Sequence, residues 1–308
     1  MQLNLEHKQH ILKHKDDIRS GNWAEFFKDA PQGIGYYLYK ADIPFLLQMD
    51  NIPKCCFNKT DINSIKIPNN IKSIGYEAFD NCDSLTRVII PDSVTSIDHY
   101  AFYHCTSLTS VTLPDSLTSI GVSAFGTCTS LKSIDLPKSV TTLSNYAFAG
   151  CKGLTSIIIP DSITYIGDHA FTECYNLTNV TIGSGLSYTG NNAFSHCYSL
   201  TSINIPNTVT SISFGSFSSC SSLSFITIPS SVTSIEDYAF YKCSSLKSIN
   251  IPNSVTSIGE SAFEHCGDIE INYDGTKAQW KSLYTPKAFK NTNITVYCTD
   301  GNVTRKRK

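Results

Sequence analysis

Twelve cysteines and eight histidines hold most of the potential chemistry in this sequence, and their spacing decides what they can do. Nine cysteines recur every 23 residues: Cys82, Cys105, Cys128, Cys151, Cys174, Cys197, Cys220, Cys243 and Cys266. A zinc site needs ligands that converge, as in paired C-x₂-C segments, and no such pair occurs. Equivalent thiols in stacked coils lie about 4.8 Å apart, beyond the Cβ separation of about 3.8 Å that a disulfide prefers. Pairing neighbours would also strand one of the nine. The column therefore reads as buried free thiols acting as small apolar side chains. Cys55, Cys56 and Cys298 show no ligand spacing.

The histidines give no ligand set either. His104, His196 and His265 share one column of the same period, four and three units apart, so well over 10 Å separates them. Glu173 stands one unit before His196 in that column and is placed for a surface ion pair. Asp98-His99 and Asp168-His169 supply acid and base types without a nucleophile motif. Gly183 and Gly185 lack the lysine and following helix of a phosphate-binding G-x-x-x-x-G-K-[ST] loop. Their unit has lost its proline and has Thr189 at a core position, either as local wear or as a bend or contact point. No catalytic residue, metal site or cofactor is expected, and the chain reads as non-enzymatic.

The elements that position these residues follow from the same period. Nine uninterrupted 23-residue units fill residues 62–268, each with Phe three residues ahead of its Cys, from Phe79 to Phe263. In the unit starting at Leu108, Val111 and Leu113 flank Thr112, the alternation of a half-buried strand. Pro114 ends that strand because it has no N–H for the ladder. Leu117 and Ile120 point inward from a second extended piece, and Ala124-Phe125 anchors a brief helical or tight turn. One unit cannot bury its apolar side chains alone, whereas stacked units share a continuous core. At one strand spacing per coil the nine units make a rod about 40 Å long.

The pattern L-x-S-I-x-I-P-x-S-V-T-S-I-G-x-x-A-F-x-x-C resembles the BspA-like class of leucine-rich repeats. The resemblance covers about two thirds of the chain. It implies a leucine-rich-repeat solenoid, mainly β, with short parallel strands and a tight helical turn per coil. Because that class is often found on cell-surface proteins of bacteria and protozoa, it also implies adhesion and protein binding.

A solenoid needs its apolar ends covered. Residues 1–61 read as an N-terminal cap, with a helix over Leu5–Phe27 and a degenerate repeat in which Ile52 and Phe57 echo later units. Residues 269–304 read as the C-terminal cap: a strand at Ile269 and Ile271, a short helix near Thr276–Trp280, and a strand over Ile294–Cys298. Residues 305–308 form a basic tail. Net charge is −2 with pI near 6.4, which gives no pull toward nucleic acid or anionic membrane. Met1–Ser20 contains no unbroken apolar stretch of the roughly 7–15 residues a secretory signal needs. Nor does any run of about 18 apolar residues occur for membrane insertion. The expectation is a cytoplasmic protein as encoded, unless a non-classical route or a particle carries it.

Binding falls to outward positions. Along the main strand these read Ile89, Thr112, Asp135, Ile158, Thr181, Asn204, Thr227 and Asn250, a Ser/Thr/Asn-rich face with scattered apolar points. Tyr165 and Tyr188 share a column in adjacent coils, as do Tyr175 and Tyr198, while Tyr146 shares a third with Tyr100 and Tyr238. Aromatic side chains give large contact area at modest entropy cost, so these tyrosines are the candidate contacts for a protein or glycan partner. A threonine column from Thr95 to Thr256 is regular enough to order water, but its second rank is mostly Ser. The other reading is a structural spacer in a larger surface or virion assembly, without a discrete ligand. Neither partner identity nor oligomeric state is written in the pattern.

Overall fold

A computed structural model of the chain describes residues 4–306. Each of the nine coils contributes a second strand of two residues and all but one a main strand: in the coil of residues 177–199 these are Tyr188–Thr189 and Asn179–Ile182. In the coil of residues 131–153 the main strand shrinks to a single bridge, Ser133 to Ser110. Main strands bury every second side chain, as Ser110–Thr112 shows with Val111 inside and its neighbours out. Successive coils pair in parallel and in register, Asn179 opposite Ser156 and Ile182 opposite Ile159, so like stacks on like. One eight-stranded sheet runs from Ser156–Ile159 to Gly301–Arg305, and a three-stranded sheet joins Ser64–Lys66, Arg87–Ile89 and Ser110–Thr112. The second strands form separate short sheets.

Proline does more than stop the main strand. Its carbonyl accepts the N–H three residues on, Val94 to Pro91 at 3.0 Å and Leu117 to Pro114 at 3.1 Å, which starts a reverse turn. The Ala-Phe-x-x-Cys segment is a chain of such turns rather than a helix: Ala78 bonds Gly75, Cys82 bonds Phe79 and Leu85 bonds Cys82. Two columns hold left-handed backbone. One includes Tyr100, Ser123, Tyr146 and His169 at φ 52–58°, the other His104, Thr127 and Glu173 at φ 55–59°. Left-handed backbone costs a non-glycine residue about 1–2 kcal/mol. The compensation is coil-to-coil pairing: Tyr100 N–H reaches the Val122 carbonyl at 2.9 Å and His104 N–H the Gly126 carbonyl at 2.8 Å.

The core is a set of ladders. Eleven phenylalanine rings, from Phe57 to Phe289, stack with centroids 5.0–5.8 Å apart. The stack thus extends one ring beyond the nine regular coils at each end. Each of the nine column thiols donates to the phenylalanine carbonyl of the preceding coil at 2.9–3.3 Å. Cysteine therefore packs as an apolar side chain and also gives a second donor to a buried carbonyl, such as that of Phe79, that already accepts a backbone N–H of its own coil, which a methyl group cannot do. All twelve cysteines are free.

Toward the N-terminus the expected single helix is three: α1 (Leu5–Lys13), α2 (Lys15–Ser20) and α3 (Trp23–Lys28). The chain turns at His14 and again at Gly21, whose φ of +74° suits glycine. A further helix, α4 (Ile34–Lys40), has no counterpart in the sequence reading. Trp23, Phe26, Ile34, Leu38 and Phe45 are buried, and Phe45 meets Phe57 at 6.4 Å, joining the helices to the phenylalanine stack. At the other end, α5 (Lys277–Leu283) starts at a capping box between Thr276 and Gln279. Strand Asn293–Cys298 turns back antiparallel into Gly301–Arg305. Arg305 is thus part of a strand rather than of a loose basic tail; its guanidinium lies 5.4 Å over the Tyr284 ring and donates to the Tyr284 hydroxyl. Arg307 and Lys308 of that tail lie outside the described residues.

Candidate binding surface

Regular stacking sorts side chains into exposed columns. On the main-strand face Ile89, Ile158 and Phe225 are 54%, 66% and 55% exposed, apolar points that packing does not use. A shallow groove on this face is lined by Lys66, Arg87, Ile89 and Thr112, among others.

The hydroxyl columns have a different job from the one composition suggests. Thr118 Oγ1 donates to the Thr95 carbonyl at 3.0 Å, Thr109 to Thr86 at 3.0 Å, and Ser116 to Val94 at 2.8 Å. Thr95, Thr164, Thr233 and Thr256 repeat the first of these bonds. These hydroxyls donate to carbonyls one coil back, so the threonine column that could order water is engaged in holding coils together.

The five candidate tyrosines form two stacked tyrosine pairs and one tyrosine–histidine pair. Tyr165 and Tyr188 face each other in register on adjacent second strands, centroids 5.1 Å apart. Tyr175 and Tyr198 stack at 5.0 Å just after their column cysteines, with Lys152 Nζ 5.1 Å over the Tyr175 ring. Tyr146 stacks on His169 at 4.7 Å, and burial lowers the His169 pKa from its ordinary value, which favours the neutral ring. Tyr165, Tyr198 and Tyr146 are each about two fifths exposed. No ring contact joins the Tyr165–Tyr188 pair to the Tyr175–Tyr198 pair among the described residues. Burial, then the hydrogen bond to Glu173, raises the Tyr175 hydroxyl above its usual pKa.

That bond also alters the expected Glu173–His196 ion pair. Glu173 Oε2 accepts from the Tyr175 hydroxyl at 3.1 Å, while His196 Nδ1 pairs with Ser195 Oγ at 2.7 Å. Each of the two prefers a partner close in sequence over the one across the coil gap. The irregular coil keeps its bonds to the coil before it. Gly183 N–H donates to the Ile159 carbonyl at 2.8 Å, and both the amide and the hydroxyl of Ser184 donate to Asp161 Oδ1. A Cβ on Gly185 would collide with the Asp161 carbonyl.

One cluster escaped the sequence reading, which expected no metal site. His10, His14 and Asp29 bring ligand-type atoms within 4.8 Å of one another. The signal was present as the H-x₃-H spacing of His10 and His14, one helical turn apart. The third member is fifteen residues further on and is brought in only by the helix packing.

The parallel strands, reverse turns and phenylalanine and cysteine ladders define a leucine-rich-repeat solenoid. The family model for the BspA type Leucine rich repeat region, in six copies, matches residues 50–160 and 141–270. The chain therefore belongs to the BspA-type leucine-rich-repeat family. It is similar to the crystal structure of a leucine-rich repeat protein from Bacteroides ovatus, at 30% identity and TM-score 0.56, covering 80% of this chain and 78% of that one. A leucine-rich repeat protein from Eubacterium ventriosum is similar at 24% identity and TM-score 0.51, covering 84% and 76%. A leucine rich cell surface protein from Faecalibacterium prausnitzii gives 31% identity and TM-score 0.44, covering 77% and 80%. Among curated proteins none matches the chain. No helix among the described residues is long and apolar enough to cross a membrane.

Proposed function

We propose that this solenoid is a non-enzymatic interaction or adhesion module that docks a protein or glycan through exposed aromatic pairs on a rigid rod. The observation that carries the reading is the in-register stacking of Tyr165 on Tyr188, partly exposed on strands whose inward residues alone serve the core. A pre-stacked aromatic pair offers contact area with little further loss of rotamer freedom. Tyr175, Tyr198 and Tyr146 extend the candidate surface. In this reading residues 1–61 and 269–304 are caps that keep the apolar ends of the rod from water.

The test is a screen of the full chain against protein and glycan arrays, followed by Tyr165→Ser with Tyr188→Ser on any ligand found. Affinity should fall at least tenfold while the melting curve stays nearly unchanged. Unaltered affinity would remove the tyrosines from the site. Co-purification with a large assembly, with no separable ligand, would favour the structural-spacer reading.

A further inference from the structure

We propose that His10, His14 and Asp29 bind a borderline divalent cation of the zinc class. The tautomers are set by the outer partners. His10 Nε2 lies 2.8 Å from the Phe26 carbonyl; a carbonyl only accepts, so Nε2 carries the proton and Nδ1 keeps a lone pair. His14 Nδ1 lies 2.8 Å from Asp17 Oδ2, which likewise places the proton on Nδ1 and the lone pair on Nε2. A carboxylate or carbonyl holding the far nitrogen of a histidine is the usual outer shell of a metal-bound imidazole.

His14 Nε2 is the independent observation. It is buried without a hydrogen-bond partner, on a residue only 6% exposed, and it faces Asp29 Oδ1 at 3.6 Å. That distance is too long for a hydrogen bond. It is close to the edge of a tetrahedral zinc site, where ligands about 2.0–2.1 Å from the metal stand about 3.3 Å from each other. One ligand-type atom from each of the three residues lies within 4.8 Å of the others. Asp29, 57% exposed, leaves a fourth position open to water, and Lys13 holds its other oxygen at 3.0 Å. Two imidazoles and one carboxylate suit zinc, cobalt or nickel rather than the all-oxygen preference of calcium or magnesium.

Position gives the site a mechanical role. His10 lies in the last turn of α1, His14 between α1 and α2, and Asp29 directly after α3. A shared ion would tie three short helices, none stable alone, into one unit on the first coil.

The full chain, stripped with a chelator and kept reduced by a non-thiol agent, would be titrated with zinc chloride and then cobalt chloride. One equivalent should bind per chain, raise the melting temperature, and give a cobalt spectrum without thiolate charge transfer. His14→Gln should abolish uptake. Asp29→Asn, a same-shape change at an exposed position, should abolish the thermal shift. Asp17→Asn, which keeps the side-chain shape and removes the charge behind His14 Nδ1, should weaken binding about 10–100-fold, and His196→Gln should leave it unchanged. Uptake that survives Asp29→Asn and His14→Gln, a thiolate charge-transfer band, or no uptake at all would overturn the assignment.

Discussion

The thiol ladder should make this protein unusually sensitive to alkali. Burial pushes Cys82, Cys174, Cys220 and Cys266 up to about 12, from an ordinary value of 9.0. Burial drives Cys105, Cys128, Cys151, Cys197 and Cys243 well above that ordinary value too. The folded chain therefore keeps protons that the unfolded chain releases above pH 9. Stability is fully present below pH 9 and is lost as pH rises toward 12. Each thiol costs about 1.4 kcal/mol for each pH unit in that window. At pH 10 the four thiols near 12 together cost about 5–6 kcal/mol, and the other five push the same way. That sum rivals the roughly 5–15 kcal/mol that holds an ordinary domain together.

The assay is urea unfolding followed by circular dichroism at pH 7, 8, 9 and 10, under reductant. The midpoint should hold to about pH 8.5 and then fall steeply. Cys220→Ala should cost stability at pH 7, since a buried S–H donor and its volume are lost. It should also flatten the slope above pH 9 by about 1.4 kcal/mol per unit. In the folded state an aromatic disulfide reagent should reach only the half-buried Cys55 and Cys298. A midpoint that is flat from pH 8 to pH 10, or rapid labelling of all the thiols in the folded protein, would refute the reasoning.

Other outcomes follow from single coils. Thr127 is β-branched at φ +55° and its buried Oγ1 has no partner, so Thr127→Gly should stabilise by about 1 kcal/mol despite the entropy of glycine. A lowered midpoint in urea would count against backbone strain at that column. Gly185→Ala should destabilise by about 1–3 kcal/mol through the Asp161 collision, whereas an unchanged melting temperature would mark the coil as loose. Tyr165→Ser with Tyr188→Ser should leave thermal stability within about 0.5 kcal/mol, as surface changes usually do, and a larger drop would make the stack structural.

Periodicity alone determined the architecture. Residues repeating every 23 positions leave a chain of parallel coils as the arrangement that buries Leu, Ile, Phe and Cys together, and the family resemblance agreed. Columns of tyrosine were legible for the same reason, since equal sequence offset means vertical neighbours. What period cannot carry is direction. Ser and Thr read as a neutral face, yet their hydroxyls turn back onto carbonyls one coil away. Cysteine read as apolar filler, yet its S–H finds a carbonyl that only the stacked neighbour supplies. The ends obey no period, so their helices were misplaced at His14 and α4 went unseen. Asp29 reaches the histidines only because Gly21 reverses the chain between α2 and α3. Local repetition is written in one coil; hydrogen-bond direction and the meeting of distant residues belong to the packed whole, because each depends on where a second segment ends up.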